Sequence, residues 1–71
     1  MEKEIGKVAF SDKTAVHIRI DEYKGRRGIT IRKYIESDKY TGFTKQGLRV
    51  PVEKWRDFKA VIDKVDDALE E

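Results

Sequence analysis

The stretch TAVHIRIDEYKGRRGITIRKYI, residues 14–35, decides the fold. Val16, Ile18 and Ile20 alternate with His17, Arg19 and Asp21, the pattern of a half-buried strand, because successive side chains leave a strand on opposite faces. After Tyr23 the run KGRRG supplies Gly25, which takes positive φ at no steric cost in a tight hairpin. The alternation then resumes, with Ile29, Ile31 and Ile35 set against Thr30, Arg32 and Tyr34. Lys33 breaks the apolar face; an inward lysine at that point marks a bulge or a sheet edge.

Working outward, IGKVAF (5–10) predicts a shorter first strand carrying Val8 and Phe10, ended by the turn Ser11-Asp12-Lys13. GLRV (47–50) predicts a fourth strand with Leu48 and Val50 inward and Arg49 outward. The residues between, from Tyr40 to Gln46, read as a loop rich in glycine, threonine and lysine. The period then changes. Val52, Trp55, Phe58, Ile62, Val65 and Leu69 recur every three or four residues as one helical stripe, and Pro51 suits the first helical position, where its missing N–H costs nothing. The spacing predicts a helix from about Pro51 to about Leu69. The expected fold is therefore α+β, in the order β-β-β-β-α: one antiparallel four-stranded sheet with a C-terminal helix packed on one face, as a single domain over residues 1–71. The helical stripe, which includes Val61, is wider than one sheet requires, so Trp55, Phe58, Ile62 and Val65 are assigned to packing and to a helix-mediated homodimer.

Size and composition point the same way. A single core in 71 residues supplies only about 3–5 kcal/mol without a staple. The chain has no cysteine and one histidine, which excludes disulfides and the usual zinc clusters and leaves oligomerisation as the common remedy. No apolar run approaches the length of a membrane span, and Met-Glu-Lys-Glu lacks the order of a signal peptide. The expectation is a soluble intracellular protein, in cytoplasm or nucleoid, or in the nucleus of a eukaryote. The formal net charge is +2, but it is unevenly spread. Residues 13–49 hold ten Lys/Arg against four acids, whereas residues 50–71 hold four against seven. A basic middle joined to an acidic end is expected where one surface meets a polyanion and another does not.

Catalysis finds little material. His17 falls at the polar parity of its strand and reads as a surface histidine. No serine or threonine sits in a nucleophile motif, and GRRG lacks the spacing of a phosphate-cradling loop. The acidic end VDDALEE reads as a solvated, fraying helix terminus. No enzyme, cofactor or metal is expected.

What remains is a set of rings among cations: Tyr23, Tyr34, Tyr40 and Phe43 with Lys24, Arg26, Arg27, Arg32, Lys39, Lys45 and Arg49. Single-stranded nucleic acid is bound by this mixture, since cations follow the phosphates while rings stack on bases. Each ring also has a packing role open to it. Tyr34 can cap the sheet and Phe43 can close the end of the core, with Tyr40 undecided between core and ligand; Trp55, on the apolar stripe, reads as core. Nothing in the chain distinguishes DNA from RNA, and the acidic segment DKVDDALEE leaves open a module that docks a transcription, replication or repair protein.

The segment from Tyr23 to Leu69 resembles the positive cofactor four family of transcriptional coactivators. The resemblance rests on Tyr23-Lys24-Gly25, on Ile29-Thr30-Ile31-Arg32-Lys33-Tyr34, on Lys45-Gln46-Gly47-Leu48-Arg49-Val50, on Pro51-Val52-Glu53-Lys54-Trp55 and on Asp66-Asp67-Ala68-Leu69, five pieces in order. It implies a β-β-β-β-α protomer, a two-fold dimer joined through the helices, and a curved outer sheet surface that binds single-stranded DNA with little sequence preference. It also implies DNA contacts at Tyr23, Lys24, Arg26, Arg32 and Lys45 and a structural Trp55. Ile35 stands where eukaryotic members carry a stacking tryptophan, so that role moves elsewhere, with Tyr40 and Phe43 as the candidates. The serine-rich, charged N-terminal tail of those members has no counterpart here, which makes a compact prokaryotic or phage member the expectation.

Overall fold

The hairpin read from residues 14–35 is the centre of the sheet. In the computed structural model, which describes residues 2–70, strand β2 (Thr14–Tyr23) pairs antiparallel with β3 (Arg26–Glu36) without interruption from Thr14↔Ile35 to Tyr23↔Arg26. Lys24 and Gly25 both take positive φ, 53° and 77°, as a two-residue type I′ turn demands. Strand β1 (Lys3–Ala9) lies outside β2 and β4 (Thr41–Pro51) outside β3, so the sheet is an open, curved meander in the order β1-β2-β3-β4. Met1 and Glu71, the ends of the expected domain, lie outside the described residues.

The outer strands and the helix start depart from expectation. β1 begins earlier and ends sooner: Phe10 lies beyond it and is 68% exposed, so Val8 alone of the expected pair belongs to the strand. The presumed loop before the fourth strand is itself strand, because β4 starts at Thr41 and brings Phe43 into register with Tyr34. At the other end Pro51 closes β4 instead of opening the helix; its ψ of 143° is extended. One 3-10 turn, Val52–Lys54, follows, and α1 runs from Trp55 to Leu69.

The inner face carries Ile18, Ile20, Ile29, Ile31, Leu48 and Val50 in cross-strand rows, with Ile29 opposite both Ile20 and Val50. Ile29 and Val50 are the buried hydrophobic residues among those described, at 6% and 5% exposure. They lie where the chain leaves the sheet: the 3-10 turn approaches β3 and the first turns of α1 touch β4. Trp55 and Phe58 stack there, ring centroids 5.8 Å apart, and both are half-buried. From Lys59 onward every described residue of α1 is exposed, including Val61, Ile62, Val65 and Leu69. Packing of the helix on its own sheet is thus confined to its base, and Ile62 and Val65, expected to serve packing and a homodimer contact, are exposed. The radius of gyration, 14.1 Å, exceeds the ~11 Å of a compact chain of this length.

Candidate nucleic-acid interface

The outer face is built by the odd-numbered residues of β2 and the even-numbered residues of β3. Arg19 pairs with Thr30 and Thr30 with Arg49; His17 pairs with Arg32 and Arg32 with Gly47; Ala15 pairs with Tyr34 and Tyr34 with Phe43. The small Ala15 leaves room at one end of its row, and three rings gather beside it. His17, Tyr34 and Phe43 stand with each pair of centroids 5.2 Å apart; Phe43 meets the other two edge to face. Such pairs are worth about 0.5–1.5 kcal/mol each beyond the area they bury. Arg19 completes the group, its Cζ 5.6 Å over the Phe43 ring, and Glu4 of β1 lies 3.2 Å from His17 Nδ1.

Phe43 owes its position to a bulge. Thr44, Lys45 and Gln46 together oppose Lys33 alone, between the pairs Arg32↔Gly47 and Tyr34↔Phe43. The Thr44 hydroxyl ties the bulge down, donating to the Lys33 carbonyl at 3.3 Å and accepting from the Gln46 N–H at 3.0 Å. Gly47 is required at its exit, since its φ is 155° and a side chain there would run into the Ile31 carbonyl. Lys33 therefore marks a bulge, and not an edge, because β3 is an inner strand.

The residues read as contacts from the sequence divide by place. Tyr23, Lys24 and Arg26 form the exposed hairpin end, with Lys24 Nζ 5.4 Å over the Tyr23 ring. Arg32 is exposed in the middle of the outer face, and Tyr34 and Phe43 belong to the ring cluster. Arg27 lies at the opposite parity, across from Glu22 and beside Lys3 and Ile20 on the inner side. Lys39 is exposed in the turn before β4, which Ser37 closes through its hydroxyl and the Tyr40 backbone. Tyr40 is folded back, its hydroxyl donating to the Phe43 carbonyl. Lys45 is exposed on the bulge. His17 and Arg19, which were not among the expected contacts, sit in the ring cluster; the signal available for them was their shared parity with Asp21 and Tyr23.

Arg49 is engaged. Its Nε donates to Asp21 Oδ1 at 2.7 Å and its Nη2 to the Arg26 carbonyl at 2.9 Å. The other Asp21 oxygen accepts from the Thr30 hydroxyl. That hydrogen bond, together with Arg49 and more distantly Arg19, holds the Asp21 carboxyl below the ordinary aspartate range against the opposing effect of burial. With Arg49 locally compensated, the cations of this face are Arg19, Arg32, Lys24 and Arg26, and the carboxylates of Glu2, Glu4 and Glu22 lie near them. Two shallow clefts flank the rings. One, ≈330 Å³, runs from Phe43 past Arg19 and Arg49 to Tyr23; the other, ≈480 Å³, includes Lys7, Lys13 and Tyr34. His17 and Phe43 border both, so the ring cluster is a ridge on one track.

Comparison with known proteins bears on the family and the fold. The family described as Transcriptional Coactivator p15 (PC4) matches residues 10–61. The fold is similar to the crystal structure of BPSL1147, a PC4 homolog from Burkholderia pseudomallei K96243, with 26% sequence identity and a TM-score of 0.73 over 97% of this chain and 90% of that one. No curated protein sequence matches the chain.

Proposed function

Because the chain belongs to the transcriptional coactivator p15 (PC4) family, we propose that it is a sequence-tolerant single-stranded DNA-binding protein of the coactivator type, working as a homodimer. The observation that carries this reading is the ridge of His17, Tyr34 and Phe43 with Arg19 over it, flanked by Arg32 and by the hairpin Tyr23-Lys24-Gly25-Arg26. Bases stack on the rings while the sugar-phosphate strand follows the cations along the two clefts. Stacking on ring faces suits sequence tolerance, because every base has a π-face. A duplex keeps its base faces covered, and α1, with its acidic surface, does not suit a DNA groove. The family is one of binding proteins, and the chemistry of this face is that of binding. Transcription, replication and repair all expose the single strands it would hold.

Dimerisation is supported by the helix. A 15-residue helix with no buried residue and an exposed row of Val61, Ile62, Val65 and Leu69 matches a helix that packs against a second copy. The high radius of gyration of the single protomer supports the same reading.

Fluorescence anisotropy with labelled single- and double-stranded DNA of one sequence, at several salt concentrations, tests the function. Preferential single-strand binding is expected, with a log-log salt slope of about 0.7 per neutralised phosphate. Equal affinity for the duplex, or binding indifferent to salt, would overturn it. A matched RNA strand in the same titration measures the preference between the two nucleic acids.

A further inference from the structure

Arg49 is held in an unusual attitude, and it suggests a use for this side chain other than phosphate contact. A Cβ on Gly28 would lie 2.6 Å from Arg49 Cζ, 2.8 Å from Nε and 2.9 Å from Nη2. A point approaching the guanidinium in its own plane between those nitrogens would be nearer to them than to the carbon. Here the carbon is nearest, so Gly28 lies under the face of the group. Cβ bonds stand roughly perpendicular to a sheet, which makes the guanidinium plane roughly parallel to the outer surface. Its edge is clamped, Nε by Asp21 and Nη2 by the Arg26 carbonyl. One face rests on glycine, which has no side chain to lift it, and the other points away from the sheet. The side chain keeps 35% exposure.

We infer that Arg49 is a stacking surface for a base, a fourth planar group on the track beside the three rings; the inference rests on the single-strand-binding reading given above. Guanidinium planes stack on unpaired bases. The Nε/Nη2 edge, one of those with which arginine forks onto a phosphate, is already occupied, and the Asp21 carboxylate compensates the charge. Arg49 borders the cleft that Tyr23 and Phe43 also border, so a base lying on it shares that cleft with bases on the hairpin ring and on the ridge. Gly28 and Asp21 are then positioning residues, the first by leaving space and the second by fixing the plane.

The test uses Arg49→Lys and Arg49→Ala against wild type, with a base-bearing single strand and an abasic strand of equal length, titrated over a range of salt. Arg49→Lys keeps the charge and loses the plane. It is expected to weaken binding to the base-bearing strand by about fivefold or more, within the range for one stacked base, with the salt slope unchanged and no loss on the abasic strand. Gly28→Ala, which lifts the guanidinium without altering any charge, is expected to act in the same direction; thermal melting of each variant establishes that it is folded, and Arg49→Lys carries the test alone if Gly28→Ala is not. Equal losses on both strands, with a slope lowered by about 0.7 in Arg49→Ala, would make Arg49 a phosphate contact and overturn the inference, as would an unchanged affinity in Arg49→Lys. Wild type that bound no single strand at all would overturn the proposed function with it, whereas wild-type binding combined with either of the other results overturns the inference alone.

Discussion

Arg19 sets its guanidinium 5.6 Å over the ring of Phe43, although the two belong to β2 and β4 with all of β3 between them. The contact is diagonal across the ladder and depends on the bulge that sets Phe43 opposite Tyr34. It joins a cation to a ring at the ridge of the track. Replacing Phe43 by Leu keeps apolar bulk and removes the π face. The expected result is a loss of about 1–3 kcal/mol in single-strand affinity together with a lower melting temperature, since the two edge-to-face ring pairs of Phe43 are lost as well. Anisotropy and a thermal melt on one preparation check both halves, and unchanged binding would remove Phe43 from the platform.

Lys24 is a non-glycine residue at φ 53°, a conformation that asparagine tolerates better, and Asn-Gly is a preferred pair for this turn. Lys24→Asn is therefore expected to raise stability while lowering affinity, with the salt slope reduced by about 0.7 if the ammonium contacts a phosphate. Denaturant melts and salt titrations read the two effects separately, and their opposite signs distinguish a lost contact from a damaged hairpin.

Asp21 links stability to pH. Its carboxyl is held below the ordinary aspartate value by Thr30 and Arg49, so its contribution is complete above about pH 4, the unfolded value, and is lost as pH falls through the lower folded value. Asp21→Asn should flatten that part of the acid limb in melts recorded at decreasing pH. The same variant removes a negative charge from a polyanion-binding face, which Coulomb's law alone says should tighten DNA binding. If Asp21 fixes the Arg49 plane, base-bearing strands gain less from the substitution than abasic ones.

At the helix, Val65 is 51% exposed. Val65→Lys is expected to yield a monomer with the sheet intact, measured as half the mass by sedimentation equilibrium at matched concentration. An unchanged mass would mean that α1 is not the dimer contact. Trp55→Ala, at the half-buried base, should instead lower stability by about 2 kcal/mol.

The central hairpin and the helical stripe were legible because both are periodic over many residues, at two and at 3.6. Of β4 only the end, Gly47 to Val50, was legible; its first half was not, because Gly42 looks like a loop residue when its work is to let backbone pass close beside the Tyr40 hydroxyl. Amphipathic spacing in α1 showed which side is apolar, but not that the first turns alone would meet the sheet of the same chain. In the site, parity told which residues share the outer face. It could not tell that Asp21 would meet Arg49, a residue 28 positions away, or that His17 would close a ring cluster, since both depend on the register of three strands at once.

The two irregularities of the sheet differ in one respect. β1 gains one residue at Ile5, so Glu4 and Lys7, one even and one odd, both pair with outward residues of β2. β4 gains two opposite Lys33, so Phe43, Gly47 and Arg49 keep step. In β4 the alternation of sides is thus never reset, and the segment Thr44-Lys45-Gln46 behaves as a phase spacer. Removing one of its residues would leave a one-residue bulge like that at Ile5, where the alternation has to be reset to keep the sides in step; removing two would leave regular pairing, with Phe43 still opposite Tyr34. Loss of two residues between the ridge and the Arg49 site therefore keeps Phe43 in step with no bulge at all.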